Sequence, residues 1–226
     1  MTATEASRVL GVSTRQVERL VASGALSNAS RVGRTLLIDA NAVNHLRITG
    51  TQRGRPWKQQ TDWVAIELLS YGASVGLNSS QRSRLRRRLR TITPAELVRL
   101  ARHRATVRRY RVSVSFLPDL RGRLALTAIP ALSVSPELAA RFGLAVASST
   151  VLDGYVDTDR AAMLTSEFLM FGDTEGNVTL RSTATGHLDA GGQAPVAAVA
   201  LDLAESLDPR ERSAGSRVLT ELLAAL

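Results

Sequence analysis

With 226 residues, 44% of them hydrophobic, and a mean hydropathy near zero, the chain is long enough to bury a core in one large domain or two small ones. Its most apolar stretches, VAAVALDLA and LLAAL, are far shorter than the ~20 residues a membrane helix needs, Glu5 and Arg8 interrupt any apolar signal segment, and the lack of cysteine removes disulfides and Cys-ligated zinc and fits a reducing cytoplasm. The net charge of +9 is unevenly spread: Met1–Arg123 holds 23 Lys+Arg against 7 Asp+Glu, and Leu124–Leu226 holds 6 against 13. All basic residues but Lys58 are arginine, a bias that sets the residue type and not its distribution.

Thr2 and Glu5 have the spacing of a reciprocal helix cap, Ala6, Val9 and Leu10 form a short apolar face, and Gly11 is placed to end the helix. Ser13 and Gln16 repeat the spacing for a second helix. It turns Val17, Leu20 and Val21 inward and stops at Gly24, with Thr14, Arg15, Gln16, Glu18 and Arg19 on the outside. The link between the helices permits only a tight corner, the geometry of a helix-turn-helix. The run RVGRTLLID predicts a small hairpin with its tip near Arg31 to Arg34, and Asp39 precedes a third helix through Ala42, Val43 and Leu46. Helix, turn, helix, β-wing and helix in this order define a winged helix-turn-helix over residues 1–48.

Residues 49–60, TGTQRGRPWKQQ, have no acid and form a basic linker or arm. Its RGRP resembles the centre of an AT-hook, and a plain linker remains the alternative. An Arg-rich helical region is expected over 61–123. A helix opens at Asp62, with Trp63, Ile66 and Leu69 on one face and a stop at Gly72. A second, QRSRLRRRLRTI, has Leu85, Leu89 and Ile92 as its stripe and Arg82, Arg84, Arg86, Arg87, Arg88 and Arg90 around it. A third starts at Thr93-Pro94-Ala95-Glu96. RATVRRYRVSVSF alternates as a strand, with a helix left open.

Residues 124–226 are expected to form an acidic α/β domain for dimerisation or partner binding, so that the whole chain is α+β. RLALTAI and LDGYVDTD are expected strands, SPELAARFGL a helix capped by Ser135, and EFLMFGDTEGNVTLRSTA a hairpin. APVAAVALDLAES is apolar on both faces, so a buried strand or a buried helix both fit. The last helix begins in DPRERS and repeats Val218, Leu222 and Leu226 on one side.

The segment TATEASRVLGVSTRQVERLVASGALSNASRVGRTLLIDANAVNHL resembles the winged helix-turn-helix of the phage-excisionase and MerR-related DNA-binding families, departing from their pattern at Glu18 and at Asn41-Ala42-Val43. Over the whole chain, GRPW…TDWVAIELLSYG, RSRLRRRL and VAAVALDLAESLDPRERSAG resemble actinobacterial antitoxins of the AbiEi type. That resemblance implies a protein that binds its own promoter and antagonises a partner toxin of the nucleotidyltransferase kind.

The expected function is that of a cytoplasmic, nucleoid-associated, sequence-specific regulator bound to double-stranded DNA. It is expected as the antitoxin and autorepressor of a toxin–antitoxin operon, with a homodimer open. An interaction antitoxin with secondary DNA binding, or an excisionase-like regulator, are the alternatives. Ser13, Thr14, Arg15, Gln16 and Arg19 are the expected contacts from the second helix, where Arg15 or Arg19 suits guanine O6 and N7. Glu18 either reads cytosine N4 or faces away. Arg31 and Arg34 from the wing, Arg53, Arg55 and Lys58 from the arm, and Arg84, Arg87 and Arg88 from the Arg-rich helix are expected on phosphate or minor groove. Other arginines of that helix are expected to pair with acids such as Glu67 or Glu96. No enzyme activity, cofactor, metal or membrane partner is expected. His45, His103 and His187 are scattered, turn chemistry around Gly154 accounts for Asp153, Asp157 and Asp159, Ser148, Ser149 and Ser182 have no base in motif relation, and Gly191-Gly192 is a loop.

Overall fold

The computed structural model describes residues 1–22, 26, 29–33, 35–49, 56–74, 77–145, 150–184, 188 and 190–226. The chain is mixed helix and sheet and divides into two compact units, Met1–Gly54 and Arg55–Leu226. Arg34, Arg53 and Arg55 lie outside the described residues.

In the first unit, α1 (Ala3–Leu10) begins where Glu5 N donates to Thr2 Oγ1 at 3.3 Å and Thr2 N donates to Glu5 Oε2 at 2.7 Å, two of the donors a helix start leaves over. Gly11 closes it in the left-handed region at φ 65°, which a residue without Cβ adopts without strain. Three residues later α2 (Thr14–Ala22) starts, with Ser13 Oγ accepting from Gln16 N at 3.2 Å. β1 (Ala29–Val32) and β2 (Thr35–Ile38) form an antiparallel pair with Ala29 opposite Ile38 and Arg31 opposite Leu36, and α3 (Ala40–Thr49) follows. Ala6, Val17, Leu26, Ile38, Val43 and Leu46 form the core of this unit. Met1 extends the hairpin edge: its carbonyl accepts from Ile38 N and its amino group donates to Ile38 O, both at 2.8 Å.

The second unit opens with three helices, α4 (Gln59–Tyr71), α5 (Ser79–Leu89) and α6 (Pro94–Leu100). Next come β3 (Thr106–Arg111), a 3-10 turn at Val114–Phe116, α7 (Leu117–Arg121), β4 (Ala125–Leu126), α8 (Ala128–Val134) and α9 (Pro136–Phe142). The chain ends with β5 (Leu152–Asp157), α10 (Thr158–Glu167), β6 (Phe171–Gly172), β7 (Val178–Thr183), α11 (Val196–Ala204) and α12 (Pro209–Ala224). One five-stranded sheet runs β4-β5-β7-β3-β6, with β5 and β7 parallel and the other pairs antiparallel. Helix α11 is buried from Ala197 to Ala204, which resolves its two-sided apolar run as a core helix.

Four expectations are corrected here. No border exists at Arg123/Leu124, because β3 from the Arg-rich region lies inside the sheet between β7 and β6, and one continuous core runs from Trp57 to Leu223. For the same reason EFLMFGDTEGNVTLRSTA is not a hairpin: its two strands flank β3 and pair with it on opposite sides. Arg111 holds the connecting turn by an ion pair to Asp173 at 2.5 Å, and Asn177 closes the end of β3 by bonds to Val112 N and O at 2.9 and 3.0 Å. RLALTAI yields only a two-residue strand, since the chain enters α8 directly after Thr127. Finally, Asp153 and Gly154 lie within β5 and not in a turn.

The α11–α12 contact is a backbone approach. A Cβ on Gly215 would fall 2.4 Å from Ala204 N and 2.6 Å from Ala200 O. Helix propensity alone makes Gly215→Ala a gain of about 1 kcal/mol. Overlap with backbone atoms that cannot swing aside reverses the sign, and the variant is expected to lose about 1–3 kcal/mol. A lower urea midpoint checks this; a raised midpoint would show that the helices have room.

A charged cluster sits within the core. Arg104, just after α6 and 3% exposed, uses all five of its N–H donors. Nε donates to Tyr155 Oη at 3.0 Å, Nη1 to Ala101 O at 3.1 Å and Glu205 Oε1 at 3.0 Å, and Nη2 to Asp202 Oδ1 at 2.5 Å and Glu205 Oε2 at 2.6 Å. Burial alone would lower the Arg104 pKa, but Glu205, Tyr155 and Asp202 hold it well above the ordinary range. Asp202 also accepts from Tyr155 Oη, Thr127 Oγ1 and Arg181 Nη1, and Arg181 grips Asp153 with two bonds at 2.7 and 2.9 Å. The cluster ties β5, β7, α11 and the ends of α6 and α8 together. Asp153 is thus an ion-pair partner, which its place beside Gly154 in sequence concealed. Next to it, Asp62 on α4 is 0% exposed and neither carboxylate oxygen has a hydrogen-bond partner.

Candidate nucleic-acid interface

Val17 is the buried anchor of α2, with Leu20 and Val21 packed against the same core. The opposite side follows from the helical period: Thr14, Arg15, Glu18 and Arg19 are exposed, and Ser13 is exposed just ahead of them. Gln16 is half-buried, and its backbone N–H is spent on the Ser13 cap. Glu18 falls between Arg15 and Arg19 on the exposed side, so it shares their face. As at any helix start, the first backbone N–H groups of α2 have no intrahelical acceptor, a setting that favours anions. On the hairpin, Arg31 is exposed one pair before its end.

The second unit carries the remaining expected residues. Lys58 is exposed at the start of α4. On α5, Leu85 and Leu89 are buried, five arginines fan around the rest of the helix, and Arg90 is its C-cap. Four of these arginines bond main-chain oxygens. Arg86 donates to Gly72 O at 2.6 Å, Arg82 to Leu77 O at 3.4 Å, Arg84 to Ser80 O at 3.4 Å, and Arg90 to Leu226 O. Arg88 lies over the Trp57 ring, 5.2 Å from its centroid, a cation–π contact that commits it to packing. Glu96 is held by its own helix cap, Thr93 N donating to Oε2 at 2.9 Å, and sits 3.9 Å from Arg99. Of Arg84, Arg87 and Arg88, Arg87 is therefore the one left pointing outward without such a bond described.

Arg82, Arg86 and Arg90 are not among the contacts expected from sequence, and neither is any member of the Arg104 cluster. A signal for the cluster was present: Asp202 and Glu205 interrupt a run apolar on both faces, so two carboxylates entering the core require buried cations. Among the described residues no group of three or more His, Asp or Glu is arranged to hold a metal ion, and no helix is long and apolar enough to cross a membrane. Comparison with protein-family models, with curated proteins and with solved structures gives no match.

Proposed function

We propose that the chain is a sequence-specific double-stranded DNA-binding regulator whose first unit acts as a winged helix-turn-helix. Helix α2 enters the major groove and the β1–β2 hairpin lies along phosphate. The observation that carries this reading is the uncovered side of α2, where Thr14, Arg15 and Arg19 are exposed at the end of a tight two-helix corner. Arg15 and Arg19 are the base readers, and Ser13, Thr14, Gln16 and Arg31 hold the register on phosphate. With the resemblance of the whole chain, this extends to an antitoxin that represses its own operon. The second unit then serves the partner toxin.

A gel shift on the DNA upstream of the protein's own gene, against random duplex, tests it. Arg15→Ala is expected to weaken the cognate complex by about 1–3 kcal/mol, a bidentate guanine contact, and to leave random duplex nearly unchanged. Equal losses on both would reduce Arg15 to a phosphate contact and remove the sequence reading.

A second reading, an interaction protein first and a DNA binder second, is favoured by exposed apolar side chains around the α10–β6 turn. Met163 is 68%, Leu169 65% and Phe171 73% exposed. Capture of the neighbouring gene product after deletion of residues 1–50 supports this order, and loss of capture opposes it.

A further inference from the structure

We propose that one face of α5 is a binding site for consecutive phosphate groups, separate from the DNA reading assigned to α2. A cavity of about 360 Å³ is lined by Ser79, Arg82, Ser83, Arg86, Arg87 and Arg90. These positions recur at intervals of three and four, so they form one stripe, about 16 Å long at the helical rise. The lining holds four guanidiniums, two hydroxyls and no carboxylate.

The arginines are steadied without filling their donor capacity. Arg82 and Arg86 each give one terminal nitrogen to a backbone oxygen, of Leu77 and Gly72, and Arg90 bonds the Leu226 oxygen. The Nε atoms of Arg82 and Arg86 are shielded from solvent and have no hydrogen-bond partner. The remaining terminal N–H donors of the four guanidiniums, and their charge, are what an anion entering the cavity would meet. Phosphate fits better than carboxylate. Linked phosphates carry charge on every unit at a short, fixed spacing, and such a row matches a row of planar donor forks. The same chemistry is supplied by a free oligophosphate or by the backbone of a nucleic acid.

Calorimetric titration of the full chain with tripolyphosphate at low salt tests the site. One-to-one binding is expected. The variant Arg82→Gln/Arg87→Gln should weaken it at least about tenfold, the loss of one charged hydrogen bond. Arg102→Gln removes an exposed charge off the stripe and should leave it unchanged. Arg87→Gln alone, at an exposed position, serves if the double variant does not fold, and should weaken binding in the same direction. If random duplex displaces tripolyphosphate, the natural source is a nucleic-acid backbone; if both bind together, it is a free oligophosphate. The Arg15→Ala chain should bind tripolyphosphate normally, which separates this site from the α2 reading. Absent binding, an equal loss in Arg102→Gln, or equal displacement by a poly-glutamate peptide would overturn the proposal.

Discussion

Replacing Arg104 by methionine is expected to destabilise the second unit by about 3–5 kcal/mol, the cost of breaking a buried pair from one side. The reason is the carboxylates that remain. Asp202 would keep Arg181, Tyr155 and Thr127, but Glu205 would lose both of its described bonds from the guanidinium, at 3.0 and 2.6 Å, in a place where it is 8% exposed. Methionine fills much of the volume, so the loss reports charge and hydrogen bonding more than a cavity. Arg104→Lys is expected to recover little, since three donors on a point charge cannot serve five acceptors set around a planar fork. Adding Glu205→Gln to Arg104→Met should restore part of the stability by removing a buried charge that has lost the guanidinium. Denaturant midpoints of the three variants test the series. A loss below about 1 kcal/mol for Arg104→Met would mean that the cluster yields to water on demand.

Asp62 is expected to make the protein less stable as the pH rises. With both carboxylate oxygens unpartnered in the core, burial pushes its pKa up to about 7, against a smaller opposing pull from Arg104. The ordinary value is 3.8, so between the two values the folded chain holds a proton that the unfolded chain releases. Stability from this group is therefore whole below about pH 4 and falls as the pH climbs toward 7, reaching its full loss above that. A shift of about three units corresponds to about 4 kcal/mol as an upper bound, since local opening to water relieves part of it. Asp62→Asn keeps the shape and cannot ionise, so its midpoint should fall less than the wild type's between pH 5 and pH 8. Parallel pH profiles for the two proteins would show that Asp62 does not carry the effect.

Both predictions fall on residues that sequence pattern does not single out. Arg104 is one of many arginines in a basic stretch, and its role depends on Asp202 and Glu205, about a hundred positions away. Arg181 and Asp153 meet only because β5 and β7 lie parallel and adjacent. Asp62 looked like a helix-opening residue, whereas α4 begins at Gln59 and carries it inward. On α5 the division of labour among the arginines was equally hidden. It follows from which guanidiniums reach Gly72 O, Leu226 O or the Trp57 ring, and those partners come from other elements.

The local features are legible in the chain without its fold. Thr2 with Glu5, Thr93 with Glu96, and Ser135 start helices through bonds spanning three residues, and Gly11, Gly72 and Gly143 end them in the left-handed region. The inward stripes of α2 and α5 follow from helical period alone. Each such feature is decided within a single turn of chain, where the competing states are few. That β3 separates β6 from β7, that α11 is a helix enclosed on every side, and that Asp153 is paired emerge only on folding. Those outcomes depend on pairing between distant segments and on the cost of leaving a buried charge without its counterion, and neither is written within one stretch of sequence.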